Sequence, residues 1–124
     1  MFDSKKPTAQ MLGRWQPWHD GHTALFKKAY EQIGQVCIMI RSVQGIDDNP
    51  FDMSIVRENI MKALAVEGFE YRNQYNIIGV PNIVDISYGR GVGYTFTEHD
   101  LGEEIHNISA TKIRSELRKS GKLK

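Results

Sequence analysis

A single cysteine in 124 residues cannot close an intrachain disulfide. Cys37 lies inside the apolar run VCIMI, where a thiol packs as a small hydrophobe, so the chain reads as a protein of a reducing compartment, the cytoplasm. No run of about 18 apolar residues occurs to make a membrane span, and the opening MFDSKKPTAQ lacks the hydrophobic segment of a secretory signal. Charge of either sign is not in excess. Sixteen Lys and Arg against 15 Asp and Glu leave a formal charge of +1, so no global field calls for nucleic acid or an anionic membrane, and an anion must be bound locally. Repeats, low-complexity tracts and linkers are absent as well. What remains is 40% hydrophobic and 25% charged, near globular averages, in a length that suits one domain over residues 1–124.

The apolar spacing predicts alternating strands and helices. AQML is a short strand ending at Gly13, and Leu25, Phe26, Ala29, Tyr30 and Ile33 recur at helical intervals up to a stop at Gly34. QVCIMIRS is a continuous apolar run of the kind buried in a parallel sheet, which makes the first unit a right-handed crossover. Asp52 or Ser54 can cap a helix over 53–67, ended by Gly68. YNIIGV is expected as a third strand and NIVDISYG as a fourth; RGVGYTFTEHDLGEE reads as loop, with a short strand around EIHNI. A last helix follows Ser109, with Ile113 and Leu117 on one face and Gly121 beyond it. This is an α/β pattern: a mostly parallel sheet of about five strands with helices on both faces.

The segment GRWQPWHDGHTALF concentrates the unusual chemistry. It follows the first strand, where parallel sheets bind ligands, especially if the winding reverses there. Gly13 and Gly21 permit close backbone approach, Pro17 stiffens the turn, and the helix that follows offers free amides and a partial positive charge. Arg14 adds a permanent cation, and His19 and His22 add two imidazoles able to donate to phosphate oxygens when protonated. A polyphosphate is the ligand this suggests. The plainer alternatives are that Trp15 and Trp18 are core and that the histidines only cap the helix. A His-x-x-His zinc site lacks a cysteine or carboxylate cluster to complete it, so no metal ligand is named.

His19-Asp20-Gly21-His22 matches the HxGH signature of the nucleotidyltransferase superfamily, and Ile108 to Arg114, ISATKIR, matches its ISxTxxR signature. The chain resembles that superfamily, and GRWQPWHDGH is closest in wording to the GRFQPxHxGH of archaeal-type nicotinamide mononucleotide adenylyltransferases. In compact length it resembles bacterial glycerol-phosphate cytidylyltransferases, although their GDDW-like segment has no clear counterpart. The resemblance implies a Rossmann-like fold and transfer of a nucleoside monophosphate, AMP from ATP, to a small phosphorylated acceptor such as nicotinamide mononucleotide, with pyrophosphate leaving. A CTP-dependent enzyme acting on glycerol phosphate or a sugar phosphate, or a silent nucleotide-binding module, are the alternatives.

The resemblance further implies that His22 donates to the α-phosphate, that His19 holds the bridging or β oxygens, and that Arg114 meets the β- and γ-phosphates. Arg14 would clamp the outer phosphates, Ser109 and Thr111 would close the cradle from the last helix, and Mg²⁺ would come bound through the triphosphate. Because the attacking phosphate is already ionised, positioning and charge stabilisation would carry the catalysis. Trp15, Trp18, Tyr88 and Arg90 are candidates for the acceptor or the base. The basic end of the chain, Lys112, Arg114, Arg118, Lys119, Lys122 and Lys124 against Glu116, reads as a solvated helix end rather than a nucleic-acid tail. Neither nucleic acid nor membrane is expected as a partner, and family members commonly form homo-oligomers.

Overall fold

In the computed structural model, residues 1–90, 93–102 and 108–123 are described. Three parallel strands form one sheet: β1 (Ala9–Gly13), β2 (Val36–Arg41) and β3 (Tyr75–Val80), in the order β1-β2-β3. Between them run α1 (Asp20–Ile33) and α2 (Met53–Val66), and a third helix, α3 (Ala110–Lys119), follows near the end of the chain.

Each boundary has a local cause. His19 stands at the α1 N-cap in extended backbone, and Gly34 ends the helix with φ at 105°, a conformation that costs glycine least. Asp52 caps α2 by accepting a hydrogen bond from the amide of Ile55. Ser109 takes the same place before α3, accepting from the amide of Lys112.

Register explains the core. Ala9, Val36 and Tyr75 lie side by side, as do Met11, Ile38 and Ile77, so one alternating set of residues shares one face of the sheet. Val36, Ile38 and Ile40 are fully buried there, against Phe26 and Ala29 of α1 and Val56, Ile60 and Leu64 of α2. Phe26 meets the ring of Tyr75 edge-on at 5.7 Å, while Met53 of α2 lies beside Gly79 of the same face. Both crossover helices therefore cover one side. That departs from the expected helices on both faces, and the cause is topological: two right-handed crossovers that advance in one direction deliver their helices to the same side.

The strand count also differs from the expected five. NIVDISYG is not a strand: from Pro81 to Tyr88 the backbone is irregular, and Val84 is 80% exposed, so its alternating apolar residues have no covering layer. The strand expected around EIHNI falls on residues 104–108, of which 104–107 lie outside the described residues. Among the described strands the winding does not reverse, and β1 is an edge rather than the neighbour of a switch point. A groove of about 490 Å³ runs along that edge between Met11, Leu25, Ala29 and Tyr94. No described helix is long and apolar enough to cross a membrane.

Candidate functional site

The loop between β1 and α1 folds around its aromatic residues. Trp15, at φ 55°, returns its indole over Gly13, where a Cβ would come within 2.8 Å of the ring. Only glycine fits under that ring, which gives Gly13 a packing role. The Trp15 indole N–H donates to the carbonyl of Met39 at 3.0 Å, and that of Trp18 donates to the hydroxyl of Thr23 at 2.8 Å. Both tryptophans are 6% exposed. Their rings meet at a tilt, with centroids 4.9 Å apart, and both meet the ring of His22, Trp15 edge-to-face at 4.7 Å and Trp18 tilted at 5.4 Å. They form the wall of the site; neither presents an open face on which a base could stack.

His19 and His22 stack with centroids 3.7 Å apart. Their Nδ1 atoms are both used as acceptors: that of His19 receives the amide of Gly21, and that of His22 receives the amide of His19, each at 3.1 Å. This reciprocal cap has the logic of a capping box with imidazoles in place of hydroxyl and carboxylate. It also sets the tautomer, because a neutral imidazole that accepts at Nδ1 carries its proton at Nε2. Burial, with the nearby charge of His19 adding to it, pushes His22 down to about 3. Burial lowers His19 as well, partly offset by Asp20. His22 is therefore neutral at pH 7 and carries its proton at Nε2 as a neutral donor, not as the imidazolium first expected. The amides of Gly21, His22 and Thr23 all bond to His19, so these three main-chain amides are already engaged at the helix start.

Arg114 joins the two motifs. It is 3% exposed, one turn into α3, and donates from Nη1 to the carbonyl of Gln16 inside the β1–α1 loop. Its Nε donates to Asp48 at 2.9 Å and its Nη2 to the hydroxyl of Thr111 at 3.4 Å. Arg14, on the exposed side of the loop, donates to the Asn49 side chain at 3.4 Å. The fold thus brings Arg14, His19, His22, Ser109, Thr111 and Arg114 to the carboxyl end of the sheet. Tyr88 and Arg90 are not among them. Both are exposed, Tyr88 faces the ring of Phe96 at 5.6 Å, and no hydrogen bond or ring contact among the described residues joins either to the histidines or to Arg114.

Four residues to which the sequence reading gave no part in the site adjoin those gathered at that end of the sheet. Gln16, 2% exposed, pairs its side-chain amide with both backbone groups of Phe51 at 2.8 Å and so fastens the β1–α1 loop to the β2–α2 loop. At the rim Asp48 lies 2.6 Å from Arg118, and beside it Asn49, 4% exposed, accepts from Arg14. Among the described residues no group of three His, Cys, Asp or Glu side chains is placed to hold a metal ion.

No family model matches the chain. Curated proteins do. Over 65 residues, 51% of this chain and 38% of the other, it is 35% identical to the nicotinamide-nucleotide adenylyltransferase of Methanococcus aeolicus. Over that stretch the chain is similar to a protein so named. It is 32% identical over 74 residues to the enzyme so named from Pyrococcus furiosus (58% of this chain, 39% of that one) and 36% identical over 74 residues to that of Ignicoccus hospitalis (58% and 43%). The matched stretch thus spans less than half the length of each of these curated relatives. Their names are those of nucleotidyltransferases, and of adenylyl rather than cytidylyl transfer.

Proposed function

We propose that the protein transfers AMP from ATP to a small phosphorylated acceptor, nicotinamide mononucleotide first, and releases pyrophosphate. The observation that carries the reading is the pair of imidazoles with both Nδ1 atoms engaged, which leaves two Nε2–H donors beside a helix N-terminus and within one fold of a buried arginine. A phosphate oxygen of the acceptor attacks the α-phosphorus, the bond to the bridging oxygen breaks, and that oxygen leaves with pyrophosphate. No group need remove a proton from an attacking phosphate that is already ionised. The protein's share is alignment and charge stabilisation. His22 donates to the α-phosphate as its charge reorganises. As a neutral donor it does so without a proton-transfer step of its own. His19 holds the β oxygens, Arg114 and Arg14 take the outer phosphates, and Ser109 and Thr111 close the cradle from α3. Mg²⁺ fits as an ion carried by the triphosphate, given the absence of a carboxylate cluster among the described residues, and would neutralise the departing pyrophosphate.

The test is pyrophosphate release with Mg²⁺, crossing ATP and CTP with nicotinamide mononucleotide, glycerol phosphate, sugar phosphates and sulfate. Release that requires ATP together with nicotinamide mononucleotide is expected, and His22→Ala should abolish it while nucleotide affinity stays within about tenfold. Turnover with CTP alone would reassign the nucleotide, and tight nucleotide binding without turnover would make the chain a binding module.

A further inference from the structure

We propose that the loop between β2 and α2 carries in Asp48 and Asn49 its own stand-ins for phosphate, and that Arg118 is a third arginine, beside Arg14 and Arg114, for the outer phosphates of a nucleoside triphosphate. The inference rests on the reading of Arg114 as a phosphate ligand and adds to it a further binding residue and an internal competitor. Three guanidinium groups from opposite ends of the chain converge on two adjacent loop residues. Arg14 reaches Asn49 at 3.4 Å, Arg114 reaches one Asp48 oxygen at 2.9 Å, and Arg118 reaches the other at 2.6 Å. One carboxylate that gives a separate oxygen to each of two guanidiniums presents them with what two oxygens of one phosphate would present.

The loop and the arginines differ in how firmly they are held. Arg114 is buried and keeps two further acceptors, the carbonyl of Gln16 and the hydroxyl of Thr111, when its carboxylate partner departs. The Asp48 side chain is 44% exposed and sits on a turn whose backbone goes left-handed at Gly45 and Asp47, φ 80° and 51°, outside the hydrophobic core. Stability alone is a poor reason for the Arg118–Asp48 pair, whose side chains are 40% and 44% exposed, since such pairs contribute little. A buried arginine whose anionic ligand has left is a better one, because its charge there has lost its counter-charge even while the Gln16 carbonyl and Thr111 hydroxyl still accept from it. Asp48 neutralises Arg114 while no nucleotide is bound, and a triphosphate, with more negative oxygens, replaces it. The competition lowers the apparent affinity for the triphosphate by the fraction of molecules whose Asp48 side chain has released the arginines.

The full-length chain, titrated with inorganic triphosphate in a calorimeter, decides the point, with folding of every variant checked by circular dichroism. Asp48→Asn should bind about tenfold more tightly than wild type and Arg118→Ala about tenfold more weakly. In the double variant the gain from Asp48→Asn should shrink below about threefold, because one of the two guanidiniums that it releases is gone. A structural clip would behave differently: both variants would lose stability and leave affinity unmoved, or Asp48→Asn would bind more weakly. Either result, with wild type still binding, overturns the proposal and leaves the phosphate cradle standing. If neither wild type nor Asp48→Asn binds, the cradle reading falls together with the proposal.

Discussion

A histidine enclosed by two tryptophans and stacked on another histidine is a poor place for a positive charge, and His22 shows the consequence in a value near 3. In the unfolded chain the same ring titrates near 6.5. The folded state therefore binds fewer protons than the unfolded one between these values, so the stability contributed by a neutral His22 is complete above pH 6.5 and is lost as pH falls through the window down to about 3. At about 1.4 kcal/mol for each unit, acidification from pH 7 to 4 should remove roughly 3 kcal/mol. Asp48 and Asp52, whose carboxyls are held low by Arg118 with Arg114 and by the α2 N-terminus respectively, lose their contributions only below the ordinary carboxylate range. Urea unfolding at pH 7 and pH 4.5 should give a steep loss for wild type and a much shallower one for His22→Asn. Equal slopes would mean that the burial of His22 does not set its charge.

Between elements, the side chain of Gln16 ties the β1–α1 and β2–α2 loops together more closely, at 2.8 Å, than Arg14 does through Asn49 at 3.4 Å. Its amide both donates to and accepts from the backbone of Phe51, so the β1–α1 loop and the start of α2 move as one piece. Replacing Gln16 with Ala leaves a backbone N–H and a carbonyl without partners, and the expected cost is about 2–3 kcal/mol in chemical denaturation. The KM for nucleotide should rise more than kcat falls, since the histidines ride on one of these loops and Asp48 on the other. A variant with wild-type stability would remove Gln16 from this role. The helices and three strands were legible in the sequence because each carries its own period and its own stop: Gly34 closes α1, Asp52 opens α2 and Ser109 opens α3. The NIVDISYG segment carried the right alternation and failed as a strand, because alternation states what could be buried and not whether a layer exists to bury it. The histidines and Arg114 were legible from local wording. Asp48 and Arg118 were not, since a carboxylate and an arginine 70 residues apart have no spacing to recognise. Gln16 was hidden for a similar reason: its partner is backbone, which no sequence pattern marks.

The molecule as a whole is nearly neutral, with a formal charge of +1, yet Arg14, Arg114 and Arg118 are gathered at one end of the sheet around Asp48 and Asn49. A local cluster with its own acidic counterpart projects little field beyond a Debye length, about 8 Å at physiological salt. A nucleic-acid binder needs the opposite, a basic stripe long enough to follow successive phosphates and release their counterions. The exposed cations of α3 do not form one on their own: Arg118 is drawn inward to Asp48, and the basic residues in the last turn, Arg118 and Lys119, lie where they complement the helix dipole. Two anions of equal chemistry but different reach should therefore separate cleanly. Inorganic triphosphate should bind at 150 mM salt, while a mixed-sequence single-stranded oligonucleotide should show no binding in fluorescence anisotropy under the same conditions. An oligonucleotide affinity that rises steeply as salt is lowered would mean that the arginines serve an extended backbone, and the compact phosphate cradle would have to be given up.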